Sequence, residues 1–160
     1  MDLLRVFLLH SGLVGCGETA DLVGFEVRHC GSVALQGGTE RAFTGKTVNG
    51  VPYDHTGDGV YCGAASGLPL FLAKHKFESG SGWPSFTQPI DPDHVDYKQE
   101  GDGRIEVIDA KSGAHLGHVF RDGPKPAGLR FCINAAALHF VADNEPAPRF
   151  MAALNRYIFN

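Results

Sequence analysis

Apolar and polar positions alternate most regularly in two stretches, and both predict β-strands. One is Arg104-Ile105-Glu106-Val107-Ile108. The other is Leu129-Arg130-Phe131-Cys132-Ile133-Asn134, where Leu129, Phe131 and Ile133 fall on one face and Arg130, Cys132 and Asn134 on the other. Shorter signals surround them. Asp58-Gly59 is a hairpin-type turn leading into Val60-Tyr61-Cys62. Leu68 to Leu72 is a candidate strand in which Pro69 requires an edge or strand-start position. Gly37-Gly38-Thr39-Glu40 marks a turn, and Thr39 could equally cap a short helix. Asp109-Ala110-Lys111-Ser112-Gly113 reads as a tight turn into a histidine-bearing strand, and Asp122-Gly123-Pro124-Lys125-Pro126 returns the chain to the Cys132 strand. So short a connection predicts that these two strands pair antiparallel.

The ends lack this order. Leu3 to Gly15 is apolar but interrupted by Arg5, His10, Ser11 and Gly12, and Leu13-Val14-Gly15-Cys16 resembles a lipoprotein processing site. The expected location is cytoplasmic, with export or lipid anchoring through Cys16 as the alternative. After Glu145-Pro146-Ala147-Pro148, a helical pattern through Phe150, Met151, Leu154 and Ile158 predicts an appended helix. No apolar run reaches the roughly 18 residues of a membrane span. The 160 residues suit one domain, and 21 glycines with nine prolines among short apolar runs indicate a mainly β protein. A net charge of −4 with scattered Lys and Arg gives no nucleic-acid surface. Four cysteines, Cys16, Cys30, Cys62 and Cys132, are too few and too uneven for a disulfide framework.

Cys132 carries the strongest chemical signal. Arg130 on the same strand face favours its thiolate, the reactive form of a cysteine. The competing interpretation is a small buried hydrophobe. His115 and His118 lie upstream as acid/base candidates. Their spacing of three puts them on opposite faces of a regular strand, unless a bulge at Gly117 brings both to one side. As a zinc site the pair lacks a third ligand at recognisable spacing. The Gly-rich stretch Lys76-Phe77-Glu78-Ser79-Gly80-Ser81-Gly82-Trp83-Pro84-Ser85-Phe86 holds the only tryptophan, which could line a small apolar pocket or simply anchor the loop.

These motifs together resemble the B-class methionine-R-sulfoxide reductases. The similarity is carried by Gly38-Thr39-Glu40-Arg41-Ala42-Phe43-Thr44-Gly45, Gly67-Leu68-Pro69-Leu70-Phe71, the Lys76–Phe86 motif, Gly113 to Phe120, Asp122-Gly123-Pro124 and Arg130 to Asn134. It divides the chain into a leader or peripheral segment (1–36), a reductase domain (37–140) and a C-terminal extension (141–160). The resemblance implies two antiparallel β-sheets with a few short peripheral helices. It also implies Cys132 as nucleophile and Arg130 as support for the thiolate. Asn134 becomes a polar neighbour that orders the site, His115 and His118 proton donors, and Asp122 the acid that orients them. Trp83 and Phe120 become the substrate-binding aromatics. The implied substrate is methionine-R-sulfoxide, free or in proteins. The implied reductant is thioredoxin, glutaredoxin or another thiol.

The sequence departs from the family pattern twice. Many members hold zinc with two Cys-x-x-Cys pairs, but those positions are Gly63, Ser66, Asp109 and Ser112 here. Four-cysteine zinc is therefore excluded, and no cofactor is expected. The usual resolving cysteine, two residues before the tryptophan, is Ser81. Either an external thiol reduces the Cys132 sulfenic acid, or Cys30 or Cys62 resolves it. Two other functions are a binding module without turnover and a Cys/His thiol hydrolase, for which no nucleophile elbow or oxyanion loop is present.

Overall fold

The structure, a computed structural model, describes residues 38–143. Within them nine strands form: β1 (Gly59–Gly63), β2 (Pro69–Leu72), β3 (Lys76–Phe77), β4 (Ser85–Phe86), β5 (Val95–Gln99), β6 (Ile105–Asp109), β7 (His115–Phe120), β8 (Arg130–Ile133) and β9 (Leu138–Ala142). They build two antiparallel sheets, β2-β1-β9 and β3-β4-β8-β7-β6-β5. The expected mainly β, two-sheet architecture is present. Pro69 begins an edge strand, where its missing N–H costs no ladder bond. Helical structure among the described residues is limited to three 3-10 turns, Ala73–His75, Pro92–His94 and Ala135–Ala137. The first two bury no residue, whereas all three alanines of the last are buried. Thr39 caps no helix. Cys16, Cys30, the leader and the expected C-terminal helix lie outside the described residues. No described helix is long and apolar enough to cross a membrane.

Strand alternation sets the core and the reactive face together. Phe86 of β4 pairs with Phe131 of β8, and both are buried between the sheets. Ser85 pairs with Cys132 on the opposite face. From the other sheet come Tyr61, Phe71 and Phe140. Phe71 stacks on Phe86 at 4.5 Å, and Tyr61 meets Phe140 at 4.8 Å between centroids. Burial of each such ring contributes about 1.5–3 kcal/mol, so the aromatic cluster dominates sheet packing. A one-residue slip of β8 would exchange Phe131 for Cys132 on the core face.

The chain crosses from β8 to β9, and so from one sheet to the other, through Asn134 and the buried Ala135–Ala137 turn. Glu40 holds this crossing. Its buried carboxylate accepts from the backbone N–H groups of Ala135 at 2.6 Å and Ala136 at 2.9 Å. Its own N–H donates to Asn134 Oδ1 at 3.1 Å, and its carbonyl accepts from Trp83 Nε1 at 3.1 Å. Glu40→Ala would strand two buried donors, each costing about 1–3 kcal/mol. Urea unfolding of that variant is expected to show a stability loss of about 2–4 kcal/mol. A change below about 0.5 kcal/mol, the range of an ordinary surface substitution, would contradict the bracing role.

Candidate active site

β7 and β8 pair antiparallel as the sequence predicts, with His118 directly opposite Cys132 and Phe120 opposite Arg130. On the other side of β7 the register slips. Val107 pairs with Gly117, but Ile108 pairs with His115, leaving Leu116 as an extra residue. This bulge turns His115 onto the same face as His118, and their rings lie 5.3 Å apart. Glycine is required at 117 because a Cβ there would run into the Cys132 carbonyl. Sequence spacing alone placed the histidines on opposite faces, and the bulge reunites them.

Two acidic residues fix the imidazoles. Glu106 Oε1 lies 2.7 Å from His115 Nδ1, and Glu100 Oε2 lies 2.9 Å from His118 Nε2. Arg104 completes the second series by an ion pair to Glu100 at 3.0 Å. A carboxylate at Nδ1 makes that nitrogen the N–H donor, which leaves His115 Nε2 buried and without a hydrogen-bond partner. Neither glutamate was singled out from sequence. Glu106 belonged to a recognised strand, but cross-strand partnership with a histidine leaves no local signature.

Asp122 has a different role from the one implied. Its oxygens accept from Arg130 Nε at 2.9 Å and Nη2 at 2.8 Å, a bidentate pair, while the histidines are served by glutamates. The guanidinium also lies 4.5 Å above the Phe120 ring. Asp122 and Phe120 thus aim Arg130 along the face that carries Cys132. Asn134 likewise works at a distance, with Nδ2 donating to the Leu116 carbonyl at 3.0 Å and Oδ1 taking the Glu40 N–H. It ties the bulge to the Glu40 loop.

Trp83 is half-buried on the loop above β8, its indole held by Glu40. Gly82 before it has φ +86° and receives the Phe43 N–H on its carbonyl at 2.8 Å. A side chain at 82 would meet that same backbone, so the loop needs glycine there. Ser81 reaches the nucleophile, with Oγ 3.8 Å from Cys132 Sγ. Burial pushes the Cys132 thiol above the ordinary cysteine value, while the Ser81 hydroxyl and then Arg130 pull it down without overcoming burial. The thiolate-favouring effect expected of Arg130 is therefore real but partial.

Other candidates fall elsewhere. Cys62 is fully buried on β1 of the three-stranded sheet, beside Val60 and Val141, and burial raises its thiol to about 12. Nor do the four family zinc positions suit a metal held by thiolates. Asp109 is fully buried at the end of β6, where one carboxylate oxygen accepts from the Lys111 and Ser112 N–H groups and the other from Ser66 Oγ. Gly63 supplies no donor, and Lys111 Nζ closes the knot on the Ser66 carbonyl at 3.1 Å. An apolar hollow of about 240 Å³ lies on the other face of the six-stranded sheet, lined by Tyr97, Ile105, Val119, Leu129 and Phe131. Phe120 and Arg121 complete its rim at the end of β7, while Val119, Leu129 and Phe131 alternate with His118, Arg130 and Cys132 and lie on the opposite face.

A sequence profile of the SelR domain matches residues 28–142. The chain belongs to the SelR family, the B class of methionine sulfoxide reductases. It is 50% identical over 111 residues to the peptide methionine sulfoxide reductase MsrB of Leptospira interrogans serogroup Icterohaemorrhagiae serovar Lai (strain 56601), covering 68% of this chain and 81% of that relative. The SelR match begins before the first described residue and takes in Cys30.

The thiol titration tests the electrostatics directly. Because burial favours the neutral form, iodoacetamide alkylation of Cys132 is expected to rise with pH around a midpoint above the ordinary value of about 8.5. Arg130→Ala should move the midpoint higher still, read by mass spectrometry of the Cys132 peptide. A lower or unchanged midpoint would remove Arg130 from that role.

Proposed function

We propose that this chain reduces methionine-R-sulfoxide to methionine by attack of the Cys132 thiolate on the sulfoxide sulfur. The observation that carries this reading is the convergence on one sheet face of Cys132, Arg130 and two carboxylate-held histidines, with Trp83 on the adjoining loop. The thiolate bonds to the sulfoxide sulfur as its oxygen takes up a proton; that S–S bond and the S–O bond then break as the hydroxyl passes to Cys132, and methionine departs. An oxide cannot leave unaided, so a proton must reach the sulfoxide oxygen. His115 is the preferred donor, because Glu106 holds its Nδ1 and its Nε2 has no other partner. Trp83 offers an apolar surface for the S-methyl group, and selectivity for one configuration follows from fixing the methyl, the oxygen and the line of attack from Cys132 together.

The product on the protein is a Cys132 sulfenic acid, a reversible oxidation state. One external thiol then condenses with it, releasing water and leaving a mixed disulfide. A second external thiol frees Cys132. A thioredoxin, glutaredoxin or small thiol could fill this role. Of the described cysteines, Cys62 is poorly suited to resolve the intermediate, being buried, neutral and in the other sheet.

The decisive assay incubates the protein with dithiothreitol and follows both sulfoxide diastereomers. The expected outcome is loss of the R form alone, with all turnover abolished in Cys132→Ser. Loss of neither form overturns the proposal, and turnover in Cys132→Ser would mean another nucleophile. With one equivalent of substrate and no reductant, mass spectrometry should find one added oxygen on Cys132. A disulfide to Cys30 would instead identify an internal resolving thiol.

A further inference from the structure

Three serine hydroxyls form a continuous series that ends at the nucleophile. Ser85, directly across the ladder from Cys132, has its Oγ 2.7 Å from Ser79 Oγ and 3.3 Å from the Trp83 carbonyl. Ser79 Oγ lies 2.8 Å from Ser81 Oγ, which lies 3.8 Å from Cys132 Sγ. Ser85 is buried, and the other two are half-buried. Ser81 Oγ and Ser85 Oγ also lie 3.5 Å apart, well beyond the usual O–H···O distance. Each hydroxyl carries a single proton, so along the shorter contacts the series permits two donor orders. In one, the Cys132 thiol donates to Ser81, Ser81 to Ser79, Ser79 to Ser85, and Ser85 to the Trp83 carbonyl. In the other, Ser85 donates to Ser79, Ser79 to Ser81, and Ser81 to a Cys132 thiolate.

We propose that Ser85, Ser79 and Ser81 act as a reversible hydroxyl relay that gives Cys132 an acceptor when it is protonated and a donor when it is a thiolate. This rests on the reading of Cys132 as the reactive thiol. The relay transfers no net proton. Each hydroxyl keeps its own and rotates, while the proton lost by Cys132 leaves separately. The Trp83 carbonyl is what makes reversal feasible, because it gives Ser85 a partner when Ser79 no longer accepts from it. The sulfenic acid presents an O–H where the thiol presented S–H, so the first order serves that state too. Ser81 is thus a positioning residue in contact with the sulfur, and Ser79 and Ser85 act on the sulfur only through it.

Other charges face Cys132 and remain unchanged by serine substitution. Arg130 lies on the same strand with Asp122 paired to it, and His118 with Glu100 lies across β7. His115 with Glu106 sits beside His118. A shift of the thiol titration in a serine variant therefore reports the hydroxyls.

The test measures iodoacetamide alkylation of Cys132 against pH in resting protein, with thermal melts confirming the fold. Ser81→Ala should raise the midpoint by about one pH unit, the scale of a lost hydrogen bond to a charged group. Ser81→Thr, which keeps the hydroxyl, should stay near the parent value. Ser79→Ala should also raise the midpoint, although its bonds run to Ser81 and Ser85 rather than to sulfur. The double variant should shift no further than Ser81→Ala, because the series is already cut. An unchanged midpoint in Ser79→Ala, or a double shift equal to the sum of the single ones, overturns the relay. If Ser81→Ala does not fold, Ser79→Ala alone decides. The measurement uses no sulfoxide, so its failure is separable from failure of the reductase assay.

Discussion

A carboxylate buried at Glu40 must find partners inside the protein, and the site is arranged by how it does so. The available donors are the backbone N–H groups of the turn that follows β8, where the chain crosses between sheets. Satisfying the charge therefore docks the first described loop against the end of the nucleophile strand. The same residue uses its main chain to hold Asn134 on one side and the Trp83 indole on the other. The tryptophan loop and the β7–β8 hairpin come from separate parts of the chain, and Glu40 ties one to the other, reaching the bulge through Asn134. Precision at a catalytic centre depends on such support as much as on the reacting groups.

Much of this was legible in the sequence where the signal was local. Alternation in Leu129–Asn134 placed Phe131 inward and Cys132 outward, and the short return loop foretold the β7–β8 pairing. The spacing of His115 and His118 left open either opposite faces or a bulge at Gly117, and the bulge is what forms. Signals spread over long separations were not readable. Glu40 looked like part of a polar turn, although its partners lie more than 90 residues away. Asp122 was assigned to the histidines by analogy, whereas local geometry gives it to Arg130. β5 escaped notice because it is an edge strand with only Val95 buried, so it has no apolar alternation to detect.

The nucleophile is set for strength rather than for abundance. Burial raises the Cys132 thiol, and a thiolate of higher pKa is intrinsically more nucleophilic than one of low pKa. The Ser81 hydroxyl and the Arg130 guanidinium, both hydrogen-bonded to the sulfur, offset part of the burial. In the proposed reaction the histidine–glutamate pairs answer the other demand of the chemistry, protonation of the sulfoxide oxygen. Base-like and acid-like requirements thus sit on neighbouring strands, each with its own electrostatic support.

The Asp109 knot has a bearing on the setting in which such a protein works. Its bracing atoms are carboxylate, hydroxyl, amide and ammonium groups, none of which climbs the oxidation ladder open to sulfur. A zinc brace built from four thiolates can be dismantled by peroxide or hypochlorite, the class of oxidant that converts methionine to its sulfoxide. An all-oxygen-and-nitrogen brace leaves the scaffold indifferent to the conditions that create its substrate. Under oxidant stress, the sulfur of Cys132 would be spent in turnover while the frame around it kept its shape.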